Sequence, residues 1–281
     1  MKIKRIGNIP TDEDLKLYLN QRIIPVRFCY LNEGGNKWHE LRQDKTYELG
    51  ERELKTFSDG LTNIKDVIGV LPINLVHLGP GDGIETSILF DKFKTKSNGM
   101  YVGVDISEEM IYSTLRLNKS YFSDANSLWY LTDIESEGNL ELVCKDVKKK
   151  GVNRNLIILS NEGTLLSNSD VFRYLRNSMN KEDYLFLTLE GDDPKKREEI
   201  YSTYKLLKTQ NLLAIGLRTA GYITRKRNFR VCFNEIESRV EVYFKPKDEQ
   251  EVLCLASYKP RKDEFRNRLI NSGFHIEFLK F

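Results

Sequence analysis

The chain has 281 residues, of which 40% are hydrophobic, so it is long enough to bury the core of one large domain or two smaller ones. Its 44 Lys and Arg residues nearly balance 41 Asp and Glu residues, and the net charge of +3 gives no overall field that would favour nucleic acid or an anionic membrane. No apolar run is long enough to span a bilayer, and the first residues lack the apolar core of a signal peptide, so we expect a cytoplasmic protein. The four cysteines and three histidines are scattered along the chain, so we expect neither a disulfide framework nor a metal site.

The middle of the chain predicts short buried strands separated by amphipathic helices. Helical periodicity occurs at residues 107–117, where Ser107 is suited to cap the helix, and at residues 170–179. The strand-like apolar runs lie at residues 75–78, 100–104, 127–131, 155–159 and 184–188. Strands and helices that alternate in this way predict parallel βαβ units with right-handed crossovers.

Both ends of the chain break this alternation. The first 60 residues are polar and predict mainly helices, whereas residues 195–213 predict one long helix. Strand-like runs follow at residues 229–233 and 238–244. Two later runs, at residues 252–257 and 274–279, flank a helical segment at 261–271 that ends at Gly273, and we expect them to complete the sheet that the middle of the chain forms.

These patterns predict an α/β fold with two parts. One part is a sheet domain formed by residues 61–190 and 251–281. The other is a cap domain formed by residues 1–60 and 191–250, which we expect to lie over the carboxyl edge of the sheet, where open α/β sheets bind their ligands.

A glycine-rich loop follows the first predicted strand of the sheet domain. Gly79, Gly81 and Gly83 permit positive φ angles and let the backbone approach a ligand, and Asp105 ends the next strand, where a carboxylate can accept both hydroxyl protons of a ribose. The spacing is GxGxG rather than GxGxxG, and the carboxylate of Asp82 within the loop would repel a diphosphate. A cationic cofactor fits better, which indicates S-adenosylmethionine (SAM). The alternative is a glycine-rich turn without a ligand.

Two further loops extend this predicted site. Asp133 and Ile134 follow the third strand, where the acid is suited to accept a hydrogen bond from an adenine amino group while Ile134 packs on the ring. An Asp in that position is also common as a turn or helix cap. The fourth strand leads into a polar loop with Asn161 and Glu162, which either contacts the ligands or is merely solvated.

The order of motifs resembles the histidine-specific SAM-dependent methyltransferase family, typified by the ergothioneine-pathway histidine N-methyltransferase. Residues 27–41 and 47–54 are similar to an aromatic and acidic segment of that family, and residues 162–168 to its Gly-Ser-Thr-Ile-Gly-Asn element. Residues 191–194 and the segment around Tyr201 resemble its next stretch. Ser257-Tyr-Lys259 is similar to its Ser-x-Lys element.

The resemblance implies a class I SAM-dependent methyltransferase fold, a Rossmann-like sheet with a substrate-binding cap, and a set of site residues. The residues expected to bind SAM, including those from the loops described above, are Gly79, Gly81, Gly83, Thr86, Asp105, Asp133, Ile134 and Asn161. The residues expected to hold the amine and carboxylate of a substrate are Tyr30, Tyr47, Asn168, Tyr201 and Ser257, with Tyr47, Asn168 and Tyr201 orienting the nucleophile. Without the resemblance, each tyrosine would be read as a core residue with a satisfied hydroxyl.

Two departures from the family pattern bear on the substrate. Glu85 stands where the family has a lysine at the start of the helix, and Leu255 stands where the family has the acid that recognises imidazole. Leucine accepts no proton from a ring nitrogen, and a buried nitrogen left unpaired costs ~1–3 kcal/mol. The sequence therefore predicts N-methylation of a small amine or of an amino acid less polar than histidine.

Two alternatives belong to other classes. A nucleic-acid methyltransferase is suggested by a basic patch with neighbouring aromatics, made of Arg225, Lys226, Arg227, Arg230, Tyr222 and Phe229. A charge run of this size is more often a solvated loop, so the sequence argues against a nucleic-acid partner. A non-catalytic SAM-binding protein is suggested only by Glu85 and Leu255.

Overall fold

Six parallel strands form the central sheet of the computed structural model, which describes residues 3–47, 49–69, 71–93, 99–122, 126–224, 228–247 and 249–280. They are β1 (Ile3–Arg5), β2 (Asn74–Leu78), β3 (Tyr101–Asp105), β4 (Ser127–Leu131), β5 (Asn155–Ser160) and β6 (Tyr184–Thr188). Their order is β1-β4-β3-β2-β5-β6. A second, antiparallel sheet contains β7 (Phe229–Asn234), β8 (Arg239–Phe244) and β9 (Val252–Tyr258), in that order.

The helices precede, separate and follow these strands. They are α1 (Asp12–Asn20), α2 (Gly34–Arg42), α3 (Leu49–Ile68), α4 (Ile84–Phe93), α5 (Glu108–Leu117), α6 (Lys119–Phe122), α7 (Asn139–Lys150), α8 (Asp170–Ser178), α9 (Arg197–Lys205), α10 (Leu207–Thr219) and α11 (Lys262–Asn271). Short 3₁₀ turns lie at Val26–Cys29 and Leu165–Ser167. In the described part of the chain, no helix combines the length and the apolar character that crossing a membrane requires.

The central strands are apolar on both faces because helices cover both faces of the sheet. On β2, Val76 and Leu78 belong to a core cluster that includes Val143 of α7 and Phe172 of α8. Leu75 points the other way, into a cluster with residues of α3 and α4. Strands buried on both sides read as continuous apolar runs, which is why their positions were visible in the sequence.

The structure confirms the predicted α/β class and the five predicted strands of the parallel sheet, with ends that shift by one residue or less. Ser107 caps α5 as predicted, because its side chain accepts a hydrogen bond from the Met110 amide. The long helix predicted at 195–213 is instead two helices, α9 and α10. Leu206 between them has φ −58° and ψ 140°, an extended conformation that no helix can continue through.

The expectation that residues 252–257 and 274–279 complete the central sheet is wrong. The first run forms β9, which pairs antiparallel with β8 in the second sheet, and residues 274–280 form no strand. The outer edge next to β4 is occupied by β1, which pairs with it in parallel. The sequence contains no signal for β1, because a strand of three residues is too short to show a period.

The second sheet packs with α10 and the turn at Val26–Cys29, and its core contains Cys29, Leu213, Val240 and Leu255. We call this body, together with α2, the cap. After β1 and the first cap segments, the chain returns to the parallel-sheet body through α3, whose Phe57 and Leu61 are buried against that sheet. The division into domains stays a prediction, and the pairing of β9 with β8 favours counting residues 252–258 with the cap.

Candidate functional site

A cavity lies between the carboxyl ends of the parallel strands and the cap. Its walls include the loops that follow β2, β3, β4 and β5, in agreement with the rule that open α/β sheets bind ligands at this edge. The cap residues in the wall include Tyr30, Trp38, Tyr47, Tyr204 and Leu255. Elements from both bodies therefore meet around one space.

The first two glycines of the loop after β2 face this cavity. Gly79 has φ +63° and Gly81 has φ +57°, conformations that residues with a Cβ rarely adopt. A Cβ on Gly79 would lie 2.8 Å from Glu162 Oε1, and one on Gly81 would lie 3.4 Å from Trp38 Nε1. Because both glycines lack a Cβ, the space between the loop and the side chains of Glu162 and Trp38 stays open.

Gly83 and Thr86, which the sequence analysis also expected to contact the cofactor, do not line this cavity. A Cβ on Gly83 would stand 2.7 Å from the Thr114 Cα, so this glycine permits close packing against α5. Thr86 is fully buried, with its hydroxyl 3.2 Å from His77 Nδ1 and 3.0 Å from the Tyr101 hydroxyl. Both residues support the loop from behind, and neither lines the cavity wall.

Asp105 enters the cavity at the end of β3. Its Oδ1 accepts a hydrogen bond of 2.9 Å from the Ser107 amide, which orients the carboxylate. Burial raises the pKa of Asp105 to about 6, above the ordinary value near 4. Asp105 lines the cavity wall, at the end of a strand where a carboxylate can accept hydrogen bonds from the hydroxyl groups of a ribose.

The acid-apolar pair after β4 also reaches the cavity, as the sequence predicted. Asp133 accepts hydrogen bonds from the Glu135 amide at 2.9 Å and from the Ser136 hydroxyl at 3.1 Å. Arg27 Nε lies 3.6 Å from Asp133 Oδ2 and holds the carboxylate from the cap side. Ile134 beside it supplies an apolar surface suited to the face of a flat ring.

The loop after β5 brings two polar residues into the wall. Asn161 has φ +57°, a left-handed conformation that Asn tolerates better than most residues. Its Nδ2 donates to Ser160 Oγ at 3.0 Å and lies 3.5 Å from Glu85 Oε1. Glu162 follows, and both burial and the carboxylates around it raise its pKa to about 8.

Acidic side chains dominate the described wall of the cavity. Seven carboxylates line it, against the basic groups of Arg27, Arg42 and Lys259. The acidic residues are Glu53, Asp82, Glu85, Asp105, Asp133, Glu135 and Glu162. Burial raises the pKa of Glu53 and of Glu162 to about 8, so these two acids are largely protonated at neutral pH. The five other carboxylates still outnumber the three basic groups, which favours a cationic ligand and disfavours a diphosphate or a nucleic-acid backbone.

Aromatic rings of the cap cover the glycine loop. The rings of Tyr30 and Trp38 meet edge to face with centroids 5.9 Å apart, and those of Trp38 and Tyr47 do so at 6.4 Å. A positive charge is attracted to the faces of such rings, which adds to the effect of the carboxylates. Sequence reasoning named both tyrosines and missed Trp38, although it lies within the segment of family resemblance.

Only some of the remaining residues predicted to bear on the substrate line the cavity. Ser257 and Leu255 on β9 line the cavity, whereas Asn168 and Tyr201 do not. The Asn168 side chain hydrogen-bonds to Glu135, which lines the cavity wall. Asn168 therefore contacts a wall residue without lining the cavity itself. Tyr201 packs against the cap core, and Tyr204, nearly one turn later on α9, lines the cavity in its place.

Tyr204 and Lys259 form a pair that sequence reasoning missed. Lys259 Nζ lies 3.2 Å from Glu190 Oε2 and 5.7 Å from the centroid of the Tyr204 ring. The negative charge of Glu190 and the hydrogen bond to the Tyr204 hydroxyl raise the pKa of Lys259 despite its burial, so the ammonium stays charged. The three-residue spacing from Tyr201 to Tyr204 is the signal that could have revealed the second tyrosine.

The basic patch that suggested nucleic acid is only partly visible. Arg225, Lys226 and Arg227 lie outside the described residues. Arg230 pairs with Glu251 through Nη2 at 2.6 Å, and its guanidinium stacks over Tyr243. Its charge is therefore already matched within the protein.

The side chains and the backbone that line the cavity fit SAM. Asp105 and Asp133 are carboxylates at the ends of adjacent strands, Gly79 and Gly81 leave a cradle without side chains, and the surplus of negative charge suits a sulfonium. The fit rests on the groups present in the wall and requires no metal ion.

Solved structures of similar fold have low sequence identity. The PH0226 protein from Pyrococcus horikoshii OT3 is 16% identical over 83% of this chain and 88% of that chain, with a TM-score of 0.47. Magnesium protoporphyrin IX methyltransferase from Synechocystis PCC 6803, solved with bound S-adenosylhomocysteine, is 11% identical over 83% and 98%, with a TM-score of 0.43. The plantazolicin methyltransferase BpumL is 16% identical over 93% and 90%, with a TM-score of 0.44.

No curated protein sequence is similar enough to this chain to count as a match. The profile of one family, described as "Histidine-specific methyltransferase, SAM-dependent", matches residues 12–276, nearly the whole chain. This match over most of the chain identifies a SAM-dependent methyltransferase. The chain belongs to the histidine-specific, SAM-dependent methyltransferase family.

Proposed function

We propose that the protein methylates the nitrogen of a small amine or amino acid within this cavity. The observation that carries the proposal is that Tyr30, Tyr47 and Leu255 of the cap face the same enclosed space as the glycine loop and Asp105. An acceptor held by the cap would therefore lie next to the cofactor. Holding the two reactants together in this way is the main catalytic task, because methyl transfer needs an in-line approach of the nitrogen.

The parallel-sheet side of the cavity would hold SAM. Asp105 would accept from the ribose hydroxyls, Asp133 from the adenine amino group, and Ile134 would pack on the ring. Gly79 and Gly81 would lie along the amino-acid portion. When bound, SAM supplies an electrophilic methyl group on a positively charged sulfur.

The cap side would select the acceptor. Tyr30, Tyr47, Tyr204 and Ser257 offer neutral hydrogen-bonding groups, and Lys259 offers a cation for a carboxylate. Leu255 is 7% exposed and packs within the apolar cap core, so this wall offers no acceptor to an imidazole nitrogen. We therefore infer that the acceptor has a side chain less polar than that of histidine, because a buried ring nitrogen without a partner would cost ~1–3 kcal/mol.

The test is methyl transfer from isotope-labelled SAM into a cell metabolite extract, with separation of products by mass. We expect label in a small molecule whose acceptor group is an amine. An Asp105→Asn variant should lose most incorporation, because a ribose would lose its charged acceptor. Label in RNA or DNA would favour the nucleic-acid alternative, and absence of label from every fraction would favour a non-catalytic SAM-binding protein.

A further inference from the structure

We propose that Glu162 binds the ammonium group of the acceptor and removes its proton before methyl transfer. This inference rests on the proposed function and deepens it, since it assigns a catalytic role to a residue that the family resemblance leaves without one. It also specifies the chemical form in which the acceptor arrives, which is a protonated amine.

The position of Glu162 places its carboxylate at the meeting point of the two ligands. It lies beside the glycine loop, because a Cβ on Gly79 would stand only 2.8 Å from its Oε1. It also lies close enough to Tyr30 of the cap for its negative charge to raise the pKa of that tyrosine. Glu162 thus stands between the cofactor loop and the cap.

The backbone around Glu162 is fixed on two sides. The carbonyl of Glu162 accepts a hydrogen bond of 2.9 Å from the Leu166 amide, and the carbonyl of Gly163 accepts one of 2.7 Å from the Tyr258 amide on β9. A Cβ on Gly163 would come within 2.9 Å of Ser257 Oγ, so the loop packs tightly against β9. A group held this firmly is suited to position a reacting nitrogen.

Glu162 also differs from the other acids of the cavity in its partners. Within the described parts of the chain, no hydrogen-bond donor or cation contacts its carboxylate, whereas Glu53 pairs with Arg42 and Glu135 with Arg27. The remaining acids also have contacts: Asp82 and Asp105 with backbone amides, Asp133 with Arg27, and Glu85 with Asn161. An enclosed carboxylate without a cation is costly, so a bound ammonium would supply the missing partner.

The charged surroundings adjust the proton affinity of Glu162 to that of an amine. The groups that interact with it are Asp105 after β3, Glu85 on α4, Glu53 on α3, Glu135 after β4 and Tyr30 of the cap. Lys259 Nζ, which pairs with Glu190, lies 3.6 Å from the point where a Cβ on the adjacent Gly163 would stand. Burial and the four acids raise its pKa to about 8, near the value of a free α-amino group. Proton transfer between groups of similar pKa near neutral pH is efficient.

The proton step balances as follows. One N–H bond of the acceptor ammonium breaks, its electron pair stays on nitrogen, and an O–H bond forms on Glu162. The neutral amine then has the lone pair that attack on a methyl group requires. Glu162 releases the proton to solvent when the cavity opens for product release.

The test compares Glu162→Gln with wild type, and with Glu237→Gln, the same chemical change at an exposed position in the turn between β7 and β8. The acceptors are the twenty common amino acids together with ethylamine, 2-phenylethylamine and 1,3-diaminopropane. The measurements are kcat/KM from mildly acidic to alkaline pH and the calorimetric affinity for S-adenosylhomocysteine. A Glu162→Asp variant keeps the charge and serves as the conservative change.

We expect Glu162→Gln to lower kcat/KM ~100-fold or more at neutral pH and to recover part of the loss at alkaline pH, where the amine is already neutral. Affinity for S-adenosylhomocysteine should stay unchanged. Glu162→Asp should retain the shape of the wild-type pH profile at a lower rate, and Glu237→Gln should match wild type throughout.

Three outcomes would overturn the inference. If the pH profile of Glu162→Gln has the wild-type shape, the carboxylate takes no proton. If the variant instead loses affinity for S-adenosylhomocysteine with an unaltered profile, the carboxylate serves the cofactor. If the wild type itself methylates none of the amines, the proposed function fails and the inference with it, which is distinguishable from the first two outcomes.

Discussion

Arg42 Nη1 donates to Glu53 Oε2 across 2.7 Å, and both side chains are less than a tenth exposed. The pair joins α2 of the cap to α3, which packs against the parallel sheet, so it links the two walls of the cavity. Burial raises the pKa of Glu53 to about 8 even with Arg42 beside it. The desolvation of this carboxylate therefore outweighs the attraction of its partner.

Removal of Arg42 should destabilise the protein in a pH-dependent way. For Arg42→Met we expect a loss of ~3 kcal/mol in the free energy of unfolding at alkaline pH, where Glu53 would be a buried charge without a partner. At mildly acidic pH Glu53 takes up a proton, so the loss should be smaller. Urea unfolding at both pH values measures it. Arg218→Met, which breaks an exposed ion pair with Glu33, is the control and should cost at most ~1 kcal/mol at either pH.

The buried acids predict how the stability of the ligand-free protein depends on pH. Glu53 and Glu162 have folded pKa values of about 8, above the unfolded value near 4.3, so the folded state binds more protons between these limits. Stability should therefore fall as pH rises from about 5 to 8. Thermal unfolding across this range is the measurement. Glu162→Gln should flatten the slope, and a slope equal to that of wild type would contradict the assigned shift.

Leu255 predicts a change of acceptor by a single substitution. Leu255→Glu would place a carboxylate in the cavity wall at the position where the family has its imidazole-recognising acid. We expect histidine to bind at least ~10-fold more tightly to this variant than to wild type, measured calorimetrically with S-adenosylhomocysteine present. Leu255→Met controls for the change of shape and should not gain affinity. Tight binding of histidine to the wild-type protein would refute the argument from Leu255.

Two tyrosines of α9 allow the family-based and structure-based assignments to be compared. Tyr204 lines the cavity beside Lys259, whereas Tyr201 packs against the cap core. We expect Tyr204→Phe to lower kcat/KM for the best amine by ~10-fold or more, because the hydroxyl is lost from the acceptor site. Tyr201→Phe, the matched change, should leave it nearly unaltered. The reverse order would show that the carry-over from the family to Tyr201 was correct.

The sequence predicted β2 to β6 because each forms a short apolar run, which is typical of strands covered by helices on both faces. It did not predict β1, which has only three residues. The positions of Asp105 and Asp133 in the cavity wall were predictable for the same reason, since they depend only on where a strand ends. The pairing of β9 was not predictable in this way, because an apolar run does not specify which sheet edge it joins. In the structure, β9 pairs antiparallel with β8 in the second sheet.

The parts of the site that sequence reasoning missed depend on non-local geometry. Tyr201 and Tyr204 differ by less than a turn, and the face that each presents depends on where α9 starts and on its break at Leu206. The chemistry of Glu162 depends on carboxylates from four different elements that only the folded chain brings together. A sequence shows each of these acids but not their shared cavity.

The separation of the two sheets has a consequence for how this enzyme diversifies. Leu255 and Ser257 sit on β9, a strand that is hydrogen-bonded into the antiparallel sheet and not into the one that carries the glycine loop. Substitutions on β9 would therefore change the proposed acceptor side of the cavity, while the strand pairing beneath Asp105 and Asp133 stays intact. If β9 selects the acceptor as proposed, the substrate can change in evolution without a change in the residues proposed to bind SAM.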